Sequence, residues 1–399
     1  MQMQPTSPPA ATALDLRASF ARFRDAANGR LYFTAHSHHF WPDVTRDAQL
    51  EAWDDAARLV DDKWDVVLGR VWTDVSAGIA RHLQLPDPRT LVSAPNTHEF
   101  VMRLLSACPP GRPVRVLSTD GEFHSFRRQM LRLAEDRLVE WVAVPAEPFE
   151  TLAERLVDAG RKRDFDLVYV SQVLFESGFA LLGLEQLVDG LTAAGRLMVI
   201  DGYHGFLARP TDLSRIADRA FYIAGGYKYA MAGEGACFMH CPPGFAPRPR
   251  DTGWFAGFGQ LASGQTAVHY AEDGSRFMGA TFDPSGLYRL RAVLKWLAEQ
   301  KLDAGIIHTH AVALQERFVS ALAERPVGPL APENLLIPLT QPARGNFLVF
   351  EHPEAARWCR SLHDAGIVTD VRGNRLRVGF GLQHAAADVD ALIARLRTL

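Results

Sequence analysis

Between residues 90 and 240, short apolar runs rich in β-branched residues alternate with segments whose hydrophobic positions recur at helical spacing. The runs are LVSA (91–94), VRVLS (114–118), LVEWVAV (138–144), DLVYVS (166–171), RLMVI (196–200) and ACFMH (236–240), and amphipathic stretches such as 151–163 and 184–194 lie between them. Such alternation predicts a mostly parallel sheet with helices on both faces. In that architecture ligands collect at the carboxyl ends of the strands. Residues 242–282 are rich in glycine, proline and aromatics and predict long loops, after which 284–303 predicts one long helix. The chain then repeats a strand and helix pattern: NFLVFEH, a helix at 353–366, RLRVGF and a helix at 386–398. No internal repeat is visible.

A chain of 399 residues exceeds one compact core. The pattern divides it into a disordered tail (1–20), an N-terminal segment (21–60) that packs with the small domain, a large ligand-binding domain (61–283) and a smaller C-terminal α/β domain (284–399). An apolar fraction of 47% with 22% charged residues is that of a soluble globular protein. The net charge of −3 and the lack of a dense basic block give no attraction for nucleic acid. Cys108, Cys237, Cys241 and Cys359 form no close metal pair and read as reduced thiols of a cytoplasmic protein. The beginning, MQMQPTSPPAATALDL, has neither a basic region nor an apolar one, and no apolar run reaches about 18 residues, so neither export nor membrane spanning is expected.

Candidate chemistry begins with GGYKYAMAGEG (225–235). Lysine occurs only at 63, 162, 228, 295 and 301, leaving arginine to supply the rest of the 43 basic residues. Four of these lysines sit in charged or amphipathic stretches, whereas Lys228 stands in a small, glycine-rich, apolar segment. In VIDGYHGF (199–206) an apolar strand delivers Asp201 and then His204 at its carboxyl end. A buried carboxylate there needs a cation, such as a protonated ring nitrogen, or else it caps the following turn. In SAPNTHEF (93–100) Asn96 is suited to cap a helix with Glu99 three residues on, which leaves the N–H groups of Thr97 and His98 at the positive end of the helix dipole, facing outward for a phosphate. A lysine in a glycine-rich loop, a strand-end acid and a helix N-terminus together describe a pyridoxal 5′-phosphate (PLP) enzyme.

The succession STDGEFHSF, VIDGYHGF, ADRAFYIAGGYKYAMAGEGACFM, GWF, RFMGATFDP and RLRVGF resembles the fold type I PLP enzymes of the class V aminotransferase group, and most closely the kynureninases. The likeness spans roughly residues 90–380. It implies a large PLP-binding domain with a mostly parallel sheet and a smaller C-terminal α/β domain. It implies further that Lys228 is the Schiff-base lysine, Asp201 the partner of the pyridine nitrogen, and His204 a neighbour of the cofactor's phenolic oxygen. Tyr227 would reach the phosphate and relay protons, and Phe123 would stack on the cofactor ring. Trp254 and Thr281 match residues that close the phosphate site from the neighbouring subunit of a homodimer. Arg377 matches the arginine that binds the substrate α-carboxylate, a role suited to its planar fork.

Two regions depart from the kynureninase pattern. YFTAHSHHFWP stands where that family has Gly-Asn-Ser-Leu-Gly, and GWFAGFGQ lacks a second Trp, Gly and His. The cofactor end is thus kept better than the substrate end. His36, Ser37 and His38, with Trp254, are expected to line an aromatic amino acid pocket. The same histidines with His39, Asp201 and His204 suggest a zinc hydrolase as a distant alternative, but adjacent histidines of an extended segment point opposite ways, so that at most His36 and His38 share a face. Cys359 lies in an apparent helix, unlike the mobile thiolate a cysteine desulfurase needs. The expected activity is hydrolytic cleavage of a β,γ C–C bond in an aromatic α-amino acid, with transamination as the alternative, in a homodimer whose active sites are shared.

Overall fold

The computed structural model describes residues 14–257 and 267–399. Residues 1–13 of the expected tail lie outside the described residues. From Leu14 the chain is placed: the Leu14 N–H donates to His310 Nδ1, and Phe20 is buried against Trp296 and His39, so that residues 14–20 pack where a tail was expected.

A short strand, β1 (Leu31–Tyr32), precedes seven that share one sheet: β2 (Leu91–Ala94), β3 (Val114–Thr119), β4 (Val139–Val144), β5 (Leu167–Ser171), β6 (Leu197–Asp201), β7 (Ala220–Ala224) and β8 (Cys237–His240). Their order is β2-β8-β7-β6-β5-β3-β4. From β7 to β4 all neighbours run parallel, and only β8 is reversed, pairing antiparallel with both β2 and β7. Each inner strand is apolar on both faces because both are covered. Val168, Val170, Met198, Ile200, Tyr222 and Phe238 belong to one core cluster; Leu167, Tyr169, Val199, Phe221, Ile223 and Met239 belong to the other. The six strands expected from the apolar runs all form. The pattern does not single out β7, whose AFYIA runs straight into the glycines of the lysine loop.

Four strands follow: β9 (Phe347–Glu351), β10 (Ile367–Val368), β11 (Asp370–Arg372) and β12 (Arg375–Gly379). β11, β12 and β9 make an antiparallel sheet, with a third core cluster around Phe318, Phe350, Leu376 and Val378. β10 pairs in parallel with β1, and Thr34 bridges to Gly379, which brings the N-terminal histidine segment beside β12. The single helix expected over 284–303 ends at Glu299 (Ser285–Glu299), and a second, Ala304–Glu324, follows. The break has a local cause: Lys301 takes a positive φ of 56°, and the Asp303 carboxylate accepts the Ile306 N–H to cap the next helix. No helix among the described residues is long and apolar enough to cross a membrane.

The helix Ser285–Glu299 also fixes the lysine loop. Arg289 donates to the carbonyls of Ala232 and Glu234, and Gly286 lies so close to the loop that an added Cβ would stand 2.7 Å from Gly235 C and 3.0 Å from Ala236 N. Both contacts are backbone, which cannot swing away as a flexible side chain would. Gly286→Ala is therefore expected to lower stability by about 1–3 kcal/mol, read as a fall in the denaturant midpoint; an unchanged midpoint would show that helix and loop are not in tight contact.

Candidate active site

The carboxyl ends of β2, β3, β5, β6 and β7 and the start of the reversed β8 meet at one edge of the large sheet, and of the expected cofactor residues Lys228, Asp201, His204, Phe123 and Tyr227 converge there. Asp201 is the last residue of β6 and is buried. One carboxylate oxygen accepts the Tyr169 hydroxyl at 2.7 Å and the other the Tyr203 N–H at 2.9 Å. The bond to Tyr203 is the turn cap that formed the alternative reading of Asp201, so the residue caps the turn and is buried as well. Among the described residues no cation lies within ion-pair distance, and burial raises its pKa above the usual carboxylate value. Two glycines permit the tight turn: a Cβ on Gly202 would fall 1.9 Å from the Tyr222 ring, and one on Gly205 1.9 Å from Gln172.

Lys228 is 5% exposed, with Nζ 3.3 Å from His204 Nδ1 and 4.5, 5.4 and 5.6 Å from the ring centres of Tyr203, Phe123 and Tyr227. Burial among rings brings its pKa down to about 7, against the opposing pull of Asp201. His204 is buried and held well below its ordinary pKa, first by desolvation and then by Lys228 and Arg377. Its neutral ring can therefore accept from the lysine. Burial pushes the Tyr227 phenol up to about 12, so it stays protonated at neutral pH.

Asn96 caps the helix Thr97–Ala107, its side chain accepting the Glu99 N–H at 3.0 Å. The capping box is only half made, because the Glu99 carboxylate takes Asn96 Nδ2 and Arg103 instead of returning to the cap backbone. The Cys237 thiol is buried and lies 3.5 Å from the Tyr203 hydroxyl. Phe123 directly precedes the helix His124–Glu135 and meets Phe175 edge-on at 5.3 Å.

Arg377, in β12, reaches the same edge from the smaller sheet. It is 2% exposed; Nε and one terminal nitrogen pair with the two oxygens of Asp370, and the other terminal nitrogen donates to the Phe175 carbonyl. His36 and His38 do not share a face, contrary to the extended reading. The segment turns, with the Ser37 and His38 N–H groups both bonded to the Thr34 carbonyl. His36 is buried on the Phe347 ring beside Asp370, whereas His38 is 70% exposed, stacked on Tyr227 at 5.0 Å and 3.4 Å from Glu234. The Ser37 hydroxyl is spent on the Thr34 carbonyl at 3.2 Å. Trp254, 40% exposed, donates to Thr281 Oγ1 at 3.2 Å, but among the described contacts neither touches Lys228, Asp201 or His204. Among the described residues no group of three His, Cys, Asp or Glu is arranged to hold a metal ion.

Several residues at this edge escape sequence reasoning. Tyr169 looks like one more apolar residue of a buried strand, and Asp370 like a surface charge of a hairpin. Glu122 accepts the Thr119 and Ser171 hydroxyls, both at 2.6 Å, and burial lifts its pKa to about 7, so that it anchors the loop carrying Phe123.

Residues 90–335 match the aminotransferase class-V family and residues 307–396 the kynureninase C-terminal domain. The kynureninase of Geobacillus thermodenitrificans (strain NG80-2) is 26% identical over 328 residues, which cover 75% of this chain and 72% of that protein. Among solved structures, a variant of C-DES with glycine covalently linked to its PLP cofactor superposes with a TM-score of 0.77 at 17% identity, covering 96% of this chain and 99% of that one. The apo cysteine desulfurase of Thermococcus onnurineus NA1 gives 0.73 at 17% identity, over 93% and 94%. These likenesses show the fold: an α/β PLP fold type I architecture with a mostly parallel central sheet.

The depressed lysine pKa has a direct readout. In cofactor-free protein the Lys228 amine is expected to become reactive toward an amine-directed acylating reagent as pH rises through about 7, because deprotonation frees the nucleophile. Peptide mapping against pH measures this, and a midpoint near the ordinary lysine value of about 10.4 would contradict the desolvated site.

Proposed function

The chain belongs to the aminotransferase class-V family of PLP-dependent enzymes, and on that premise we propose that it hydrolyses the β,γ carbon–carbon bond of an aromatic α-amino acid, in the manner of a kynureninase. The observation that carries the choice of reaction is the kynureninase C-terminal match over residues 307–396, the part of the chain that contains Arg377. The match to the kynureninase of Geobacillus thermodenitrificans supports it. The residues at the sheet edge fit the cofactor: among the described residues, a buried amine whose hydrogen-bond partner is a neutral histidine, and a buried carboxylate with two hydrogen-bond donors and no cation in ion-pair distance.

When bound, PLP supplies an electrophilic carbon for amines and a protonated ring that draws electrons from the substrate Cα. Asp201 is the group that holds such a ring nitrogen charged, and the helix N-terminus at Asn96 and Thr97 suits the phosphate. Phe123 offers a ring face. Lys228 would hold the cofactor, and its amine would move the proton at the substrate Cα; a pKa near 7 suits both duties because a large share of the amine is unprotonated at neutral pH. His204 takes a hydrogen bond from Lys228 and keeps the amine aimed inward. Tyr227, protonated at neutral pH, acts as a proton donor. Arg377 binds the α-carboxylate, and His36, Ser37 and His38 border the substrate side, with the His36 ring inward and the His38 ring at the mouth.

The remaining assignments belong to the same reading. Residues 61–283 form the cofactor-binding domain and 284–399 the smaller one, with 21–60 packing on the latter. Trp254 and Thr281 complete the phosphate site of a second copy in a homodimer. Four free cysteines accord with a reducing, cytoplasmic setting. Cysteine desulfurase chemistry is disfavoured, since Cys359 sits half-buried in the helix Ala355–Asp364 with its thiol pKa raised.

The purified protein is expected to be yellow, and borohydride to fix the cofactor mass on the peptide containing Lys228. Supplied with kynurenine or 3-hydroxykynurenine, it should release the matching anthranilate and alanine; a 2-oxo acid without anthranilate would select transamination instead. Lys228→Ala should lower turnover by at least about 10²–10⁴-fold, the usual contribution of a positioned acid–base group, and turnover and colour equal to wild type would overturn the assignment.

A further inference from the structure

Asp370 and Arg377 are direct register partners across the β11–β12 hairpin. A guanidinium carries five N–H donors in a fixed plane. Two go to the Asp370 oxygens and a third to the Phe175 carbonyl, which leaves one donor on each terminal nitrogen. Asp370 is itself held from a second side. His36 Nε2 lies 3.5 Å from Asp370 Oδ1, and the ring is stacked on Phe347 at 4.7 Å with 22° between the planes. The opposite nitrogen is walled off by β12, where a Cβ on Gly379 would stand 2.2 Å from Nδ1. Hence His36 turns only its Nε2 edge to Asp370, as a packed neighbour without a hydrogen bond in this structure. Arg372 also faces this carboxylate, at 3.6 Å. The His204 ring lies 3.3 Å from the Lys228 amine.

We propose that Asp370, seated by His36, is a positioning residue that locks the Arg377 fork so that its two remaining donors meet the α-carboxylate of an amino acid substrate. The inference rests on the reading of this edge as a PLP site for α-amino acids. Arginine has about 2 kcal/mol of rotamer freedom to lose on binding, and a cross-strand carboxylate gripping one edge removes that freedom before the substrate arrives. The other edge is then presented as a preformed carboxylate receptor. The recognised class is the α-amino acid against the amine that bears the same side chain.

The test is a spectral titration of the PLP-loaded protein with L-alanine, L-phenylalanine and 2-phenylethylamine. Asp370→Asn keeps the shape but sets an amide N–H₂ against the guanidinium. It is expected to raise the Kd of both amino acids by about 10- to 100-fold, the scale on which a 1 Å misplacement acts, while the amine stays within twofold. His36→Gln should change the values in the same direction by less, and Asp370→Glu should recover part of the loss. His36→Gln carries the test if Asp370→Asn does not fold. Tighter amino acid binding in Asp370→Asn would mean that Asp370 competes with substrate for Arg377 and would overturn the proposal, as would equal losses for amine and amino acids, or no change. These probes depend on Lys228 and PLP but not on which bond is cleaved. Expected shifts from a protein that yields no anthranilate would sink the cleavage reading and leave this one standing; a wild-type protein without visible absorbance would remove both.

Discussion

A lysine amine has been taken out of water with no carboxylate among the described residues bonded to it, and the rest of this sheet edge is organised around that fact. Three aromatic rings and one neutral histidine surround Nζ, and the nearest acid, Asp201, acts on it through space while its oxygens are held by Tyr169 and Tyr203. An ordinary ion pair would be cheaper to bury and would leave the amine inert. Keeping the two charges apart leaves each one lacking a counterpart, and such paired deficits in a pocket are the mark of a site built for a third body.

The smaller sheet meets this edge through the N-terminal segment. Its turn at residues 35–37 places His36 inside and His38 outside, and the inner ring lies beside Asp370, which pairs with Arg377. The segment that departs most from the kynureninase pattern is therefore the one that spans the distance between the amine and the guanidinium. Differences in substrate choice within the family would be expected to concentrate in such a place.

The large sheet was legible because burial on both faces writes itself as uninterrupted apolar runs, and the burial of Lys228 and Asp201 at one sheet edge was legible because an isolated lysine in a glycine-rich loop and a strand-end acid stand out in the sequence. What stayed hidden depends on contacts between distant segments. β7 is masked by its glycine-rich continuation, and the break before Ala304 turns on one positive φ at Lys301. Asp370 acquires meaning only through register with Arg377, and His36 and His38 part company because of a turn that no periodicity announces. Local pattern reports what a residue does for its own element; it is silent on which element will lie opposite.

The reversed strand has an implication for how the molecule is assembled. β2 lies at the border of the sheet and pairs with β8 alone, so the helix that follows it, with its N-terminus aimed at the site, has no fixed station until Cys237–His240 has emerged from the ribosome and folded back. Lys228 precedes that strand by a few residues, and Arg377 comes far later still. Closing so long a loop is entropically slow, so a nascent chain carries Lys228 as an ordinary solvated, protonated amine until the pocket that desolvates it has closed.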